Sequence, residues 1–154
     1  MLGSNLGDRL PILKEAKVNI AQRIGRITQE SPYYETSPWG VLDQPVFVNQ
    51  VIEMETDRSP EQVLKTILEI EIELGRVRYV RWGARTIDID ILYFADLIVN
   101  SPHLVIPHPS LQERRFTLEP LNDLIPNFLH PVLQKTTSQL LSECPDIGSV
   151  TPIS

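Results

Sequence analysis

Asp88 and Asp90 stand two residues apart in the run Thr86-Ile87-Asp88-Ile89-Asp90-Ile91-Leu92, directly after a stretch, Arg76–Arg85, that holds four arginines and no acid. On an extended chain alternate side chains share a face, so the two carboxylates emerge together about 6.6 Å apart along the strand. Two carboxylates so placed repel, and keeping both ionised where water is scarce requires a cation between them. Mg²⁺ meets that need, because it takes one or two carboxylates, keeps waters and completes its shell with phosphate oxygens. Arg76, Arg78, Arg81 and Arg85 supply the complementary chemistry, since guanidiniums neutralise the phosphate charge that a metal leaves. Taken singly, an Asp-x-Asp pair also occurs as two solvent-facing residues, and an arginine cluster as a solvated loop. Their adjacency points to phosphoryl transfer. No Gly-x-x-x-x-Gly-Lys-Ser/Thr loop is present, so side chains and metal must hold any nucleotide.

The other candidates are less specific. His103 and His108 lie in a proline-rich segment with no cysteine or acid at transition-metal spacing, which disfavours zinc. Trp39, Phe47, Trp82 and Phe116 suit either a core or a stacking surface for a planar ligand. Gly3-Ser4-Asn5-Leu6-Gly7 reads as a turn ahead of a helix, and no Gly-x-Ser-x-Gly nucleophile context occurs.

The chain that must position these residues has 154 residues, 14 Lys plus Arg and 20 Asp plus Glu, for a net charge of −6. The arginine stretch is +4, which leaves −10 for the remainder. An acidic balance disfavours non-specific nucleic-acid binding, whose affinity comes from neutralising phosphates. Cys144 is the single cysteine, no apolar run approaches the ~18 residues of a membrane span, and no signal peptide is evident; a cytoplasmic setting is expected. The size and even apolar content suit one domain over 1–154.

Leu10, Leu13, Ala16, Ile20 and Ile24 recur at helical steps up to Gly25, with Asp8 or a neighbour as cap. Residues 26–37 and 46–56 read as two strands around a loop at 38–45. Ser59-Pro60-Glu61-Gln62 is a capping box with proline at the first helical position, and Val63, Leu64, Ile67, Leu68, Glu71 and Leu74 follow before Gly75. Residues 86–94 alternate as a central strand, with Ile87, Ile89 and Ile91 turned to the core. Helices are predicted near 112–123 and 135–143. Interleaved helices and strands of this kind predict an α+β sandwich in which helices cover an antiparallel or mixed sheet.

Several blocks together carry a resemblance: Gly3-Ser4-Asn5-Leu6-Gly7, Tyr34-Glu35-Thr36-Ser37-Pro38, Asp43-Gln44-Pro45-Val46-Phe47-Val48-Asn49, Arg81-Trp82-Gly83-Ala84-Arg85-Thr86-Ile87-Asp88-Ile89-Asp90-Ile91-Leu92, and Ile106-Pro107-His108-Pro109 with Arg114-Arg115-Phe116. In this order they resemble the 6-hydroxymethyl-7,8-dihydropterin pyrophosphokinase family over essentially the whole chain. The resemblance implies a ferredoxin-like α/β/α sandwich with a central, mostly antiparallel sheet. It also implies pyrophosphoryl transfer from ATP to the pterin hydroxymethyl group in folate biosynthesis, with AMP released, two Mg²⁺ ions and a monomer. Asp88 and Asp90 would bind the metals, with Asp88 also reaching the pterin. Asn49 and the backbone around Thr36, Pro38 and Trp39 would hydrogen-bond the pterin edge, and Phe47 and Phe116 would sandwich its ring. Glu71, Arg76, Arg85, Ile91, His108 and Arg114 would line the ATP site, and Arg78 and Trp82 would belong to a catalytic loop that closes over the nucleotide. Only Met1 and Leu2 precede the Gly-Ser-Asn turn where members of the family have a longer apolar strand, so a shortened first strand is expected. Two other classes remain at this point: another Mg²⁺-dependent nucleotidyl- or glycosyltransferase, and a non-catalytic nucleotide-binding module. Phe47, Asn49 and Phe116 distinguish them, because a planar heterocycle site needs these residues and the alternatives do not.

Overall fold

The computed structural model describes residues 1–5, 9–37, 46–75 and 87–153. Helix α1 spans Arg9–Arg23 and buries Leu13, Ala16 and Ile20, the stripe its apolar spacing predicts. Helix α2 spans Pro60–Glu73 and starts as predicted: Ser59 Oγ accepts from the Gln62 N–H, and Gln62 Oε1 accepts from the Ser59 N–H. After it, Gly75 takes a φ of 82°, a left-handed conformation that glycine adopts without strain.

In chain order the strands are β1 (Leu2–Ser4), β2 (Arg26–Glu30), β3 (Tyr34–Thr36), β4 (Phe47–Gln50), β5 (Ile52–Glu55), β6 (Asp88–Ile89), β7 (Val99–Asn100), β8 (Val105–Ile106) and β9 (Val150–Pro152). Five of them form one sheet in the order β6-β1-β4-β3-β9, with every pair antiparallel. Residues 26–37 and 46–56, each expected as one strand, are each two. The break comes where the ribbon leaves the main sheet. There Ser31 N–H donates to Val51 O (2.9 Å), Val51 N–H donates to Ser31 Oγ (3.0 Å), and the Gln50 side chain donates to Ser31 O (2.7 Å). Pro32, with no N–H, cannot continue the ladder. β2 and β5 run on as a separate two-stranded ribbon whose register shifts between Ile27 and Gln29, as a bulge does.

The segment 86–94, expected as a central strand, contributes only Asp88 and Ile89 to the sheet among its described residues, and it lies at the edge beside β1. Alternation reports that a strand has two different faces; it does not report how many neighbours the strand has. The odd-numbered isoleucines do point to the core: Ile87 and Ile89 are buried and Ile91 packs against the same cluster.

Helices cover both faces. On one, α1 and α2 enclose Leu2, Val48, Ile87 and Ile89. On the other lie a 3-10 turn at Leu111–Glu113, helix α3 (Arg115–Leu124) and helix α4 (Thr137–Glu143), packed as Leu111, Leu118, Leu121 and Leu140 against Val51 and Leu92. The expected ferredoxin-like α/β/α sandwich of the α+β class, with an antiparallel central sheet, is the fold observed. No helix among the described residues is long and apolar enough to cross a membrane.

Candidate active site

Gly3 pairs with Asn49 on one side and with Asp88 on the other, and Asn49 pairs in turn with Tyr34. Directly paired residues point to the same face of a sheet, so Asp88, Gly3 and Asn49 form one row across three strands. Leu2, Val48 and Ile89 alternate with them into the α1/α2 core, which leaves the row facing α3. Asp90 lies on that face too. Its N–H donates to Met1 O (2.8 Å) and its carbonyl accepts from the Met1 nitrogen (2.6 Å), which carries the pairing one residue past β6.

Asn49 is 3% exposed and its Nδ2 donates to the Thr36 hydroxyl at 2.6 Å, which joins two of the residues expected at the pterin edge. Gly3 makes room for this. A Cβ there would collide with Asn49 Oδ1 and touch Phe47 Cδ1 at 3.9 Å, so the amide and the Phe47 ring rest against the bare backbone of β1. From the facing layer, α3 carries Phe116, half-buried like Phe47, and the Arg114 guanidinium lies 5.6 Å from the Phe116 ring centre.

Burial pushes the Arg114 guanidinium below its ordinary pKa, while the charges of Asp90, Asp88 and Glu113 oppose the shift. That places a partly desolvated cation within the field of both aspartates. His108 is pushed down to about 4, chiefly by burial and then by the Arg114 charge, so the ring is neutral near pH 7. Its Nδ1 accepts from the Ser110 N–H at 3.2 Å, which fixes the proton on Nε2. Its own backbone N–H donates to Leu92 O and ties the cis Ile106–Pro107 segment to the chain leaving β6.

Glu71 is 3% exposed on α2, and its Oε2 accepts from the Ile89 N–H at 2.9 Å. The strand carrying the aspartates thus has a sheet partner, β1, on one side and a carboxylate on the other. Ile91 turns its side chain to the α1/α2 core, on the opposite face from the aspartates. Pro38, Trp39, Arg76, Arg78, Trp82 and Arg85 lie outside the described residues. An apolar cavity of about 470 Å³ bounded by Leu2, Ile24, Met54, Ile67 and Phe94 reaches Asp90 but not Asp88, Gly3 or Asn49.

The donor set suits a hard divalent cation. Asp88 and Asp90 are both half-buried carboxylates on one face, and no group of three or more His, Cys, Asp or Glu able to hold a metal occurs among the described residues. A site with two oxygen donors leaves the rest of the shell to water and phosphate, as Mg²⁺ prefers.

The profile of the family described as 7,8-dihydro-6-hydroxymethylpterin-pyrophosphokinase matches residues 1–126. The chain belongs to this family. It is 40% identical over 149 residues to the 2-amino-4-hydroxy-6-hydroxymethyldihydropteridine pyrophosphokinase of Pseudomonas aeruginosa, covering 96% of this chain and 91% of that protein. It is also 40% identical over 151 residues to the folic acid synthesis protein FOL1 of Dictyostelium discoideum, covering 96% of this chain but only 22% of the relative, so it spans about a fifth of that longer protein. Among solved structures, the wild-type HPPK-DHPS of Plasmodium falciparum with pterin and p-hydroxybenzoate superposes with a TM-score of 0.71 at 19% identity, over 92% of this chain and 40% of that one. The family fold therefore holds at low identity. Within this member of the family, the sequence reading overlooked Gly3 as the residue that seats Asn49, and Asp123, whose carboxylate accepts the Tyr34 hydroxyl and ties β3 to α3. The first had a signal in the Gly-Ser-Asn block; the second depends on a contact between distant residues and had none.

Proposed function

We propose that the protein transfers the pyrophosphoryl group of ATP to the hydroxymethyl group of 6-hydroxymethyl-7,8-dihydropterin and releases AMP, with residues 1–154 as one catalytic domain acting as a cytoplasmic monomer. The observation that carries this reading is the row Asp88, Gly3, Asn49, which sets a carboxylate pair two strands from a buried amide and hydroxyl. Two strand spacings are roughly 10 Å, comparable to a bicyclic ring with its exocyclic carbon.

In this reading Asn49, Thr36 and the main chain toward Trp39 hydrogen-bond the pterin edge, while Phe47 and Phe116 hold the ring between them. Asp88 and Asp90 hold two Mg²⁺, which supply charge neutralisation at the phosphate oxygens when bound. Arg114, with Arg76 and Arg85, neutralises what charge remains, and neutral His108 offers its Nε2–H to the nucleotide. Glu71 supports the same nucleotide site by holding the Ile89 N–H, Ile91 borders it through its main chain, and Arg78 and Trp82 act through a loop that excludes water. The substrate hydroxyl oxygen bonds to the β-phosphorus in line as the bond from that phosphorus to the α–β bridging oxygen breaks. AMP leaves with the electron pair, and the hydroxyl proton passes to solvent. Most of the acceleration then comes from positioning and fixed charge.

Incubation with ATP, Mg²⁺ and 6-hydroxymethyl-7,8-dihydropterin should give AMP and pterin pyrophosphate in equal amounts, and Asp90→Ala should lose turnover by about 10³-fold or more while keeping the fold. Folded wild-type protein that yields ADP, or no AMP, would overturn the assignment.

A further inference from the structure

Helix α3 begins without a cap of its own. Arg114 occupies the N-cap position and makes no side-chain capping bond, and the first turn carries no acid. A helix start normally needs an oxygen acceptor for its first N–H groups and favours negative charge there. The acceptor comes from 31 residues later in the chain: Asp146 Oδ2 accepts from the Arg115 N–H at 3.1 Å, and the Asp146 carbonyl accepts from Arg115 Nε at 2.8 Å.

The second oxygen of the same carboxylate points elsewhere. Asp146 Oδ1 accepts from the Gly148 N–H at 2.8 Å and so shapes the tail as it approaches β3. Ser149 N–H then donates to Ser37 Oγ (3.0 Å), Ser37 N–H donates to Ser149 O (3.0 Å), and β9 pairs with β3 as Thr36↔Val150. Packing at the joint is close, because a Cβ on Gly148 would stand 2.9 Å from Ser37 Oγ and 3.0 Å from Asp146 Oδ1. One carboxylate therefore links the start of α3, where Arg114 and Phe116 sit, to the end of β3, where Thr36 sits. These segments are the two opposed walls of the proposed pterin site. The link lies beyond residue 126, where the family match ends.

We propose that Asp146 is a positioning residue for pterin binding: by bridging Arg115 to the Ser37–Ser149 joint it sets the separation between the Phe116 wall and the Thr36–Asn49 wall. The inference rests on the pterin reading above. The Asp146 carboxylate and the Ser37 hydroxyl are engaged by the Arg115, Gly148 and Ser149 N–H groups, so the effect of their side chains travels through the spacing of the walls and shows as weaker binding of the flat ring.

The test is equilibrium titration with fluorescent 6-hydroxymethylpterin, well below the melting temperature, on wild type, Asp146→Ala, Asp146→Asn, Ser37→Ala and the Asp146→Ala/Ser37→Ala double variant. Asp146→Ala should weaken binding about tenfold, and Asp146→Asn, which keeps one side-chain acceptor, should recover about half of that loss on a logarithmic scale. The double variant should lose less than the two single losses combined, as coupled residues do. Lys135→Ala, which removes the Lys135–Glu143 ion pair from the same tail, should leave binding unchanged. Pterin affinity of Asp146→Ala within twofold of a wild type that binds would overturn the inference, and so would additive losses. Wild type that does not bind the pterin at all would instead overturn the reading on which it rests.

Discussion

Glu71→Ala isolates what holds the strand of the proposed metal ligands in place. The Ile89 N–H points away from β1, toward α2, and donates to no sheet partner there among the described residues; Glu71 Oε2 accepts it at 2.9 Å in a buried setting. Removing the carboxylate leaves a buried N–H unsatisfied, which costs about 1–3 kcal/mol. For a chain of this size about 2 kcal/mol lowers Tm by roughly 4–8 °C. Because Ile89 sits between Asp88 and Asp90, the same loss loosens the geometry of both carboxylates, and weaker divalent binding should accompany the lower Tm. Glu71→Gln keeps a carbonyl acceptor and discards only the charge, so it should restore most of the Tm and most of the metal affinity. Calorimetry reads the first quantity, and Mn²⁺ titration with a non-hydrolysable ATP analogue reads the second. A nucleotide-lining role alone forecasts otherwise: weaker nucleotide binding in both variants with Tm untouched. If Glu71→Gln is as unstable as Glu71→Ala, the negative charge and not the acceptor matters, and the hydrogen-bond reasoning fails.

Two further outcomes follow from the same geometry. Gly3→Ala should displace the Asn49 amide from Thr36 and weaken 6-hydroxymethylpterin binding by about tenfold or more, because the added Cβ falls on Asn49 Oδ1; a crystal structure of the variant with Asn49 unmoved would contradict this. His108 has its folded pKa lowered to about 4 from 6.5, so its contribution to stability is fully present above pH 6.5 and is lost as pH falls toward 4. His108→Gln should therefore flatten the decline of Tm between pH 6.5 and 5, with His130, also lowered by burial, accounting for part of the slope that remains; a slope unchanged in the variant would contradict the burial of a neutral ring.

The helices were legible because their signals are local. Ser59 and Gln62, or Thr136 and Gln139, form capping boxes within four residues of sequence, and the apolar stripes follow at once. Strand ends were not legible in the same way. Pro32 is the one local mark of a break within 26–37, and it does not single out Ser31 as the exit from the sheet, because that exit is made with Gln50 and Val51 on another segment. β7, β8 and β9 escaped notice since two or three residues show no period. For the site, period-two alternation was enough to put Asp88 and Asp90 on one face. It could not place Asn49 in their row, since that depends on Gly3 lying between residues 49 and 88. Asp146 was invisible for a related reason, yet its need was written at Arg114: a helix that starts on two arginines with no cap must find an acceptor elsewhere.

These contacts divide the acids near the site into two kinds by what satisfies them. Glu71 and Asp146 accept backbone N–H groups at 2.9 and 3.1 Å, so part of their charge is met by peptide dipoles and what they provide is position. Asp88 and Asp90 instead sit in the field of Arg114, whose burial makes that guanidinium a costly group to hold without anions nearby. An arriving nucleotide brings more negative charge to the same cation, and the aspartates would then repel it unless divalent cations came with it. The chain's −6 therefore does not oppose phosphate binding so long as metal and nucleotide enter together, and the +4 of Arg76–Arg85 adds to the attraction for that pair. In the proposed reading, charge at this site would select a metal-bound nucleotide over a bare one, whereas the row Gly3, Asn49 with Thr36, being neutral, would select by shape and hydrogen bonding.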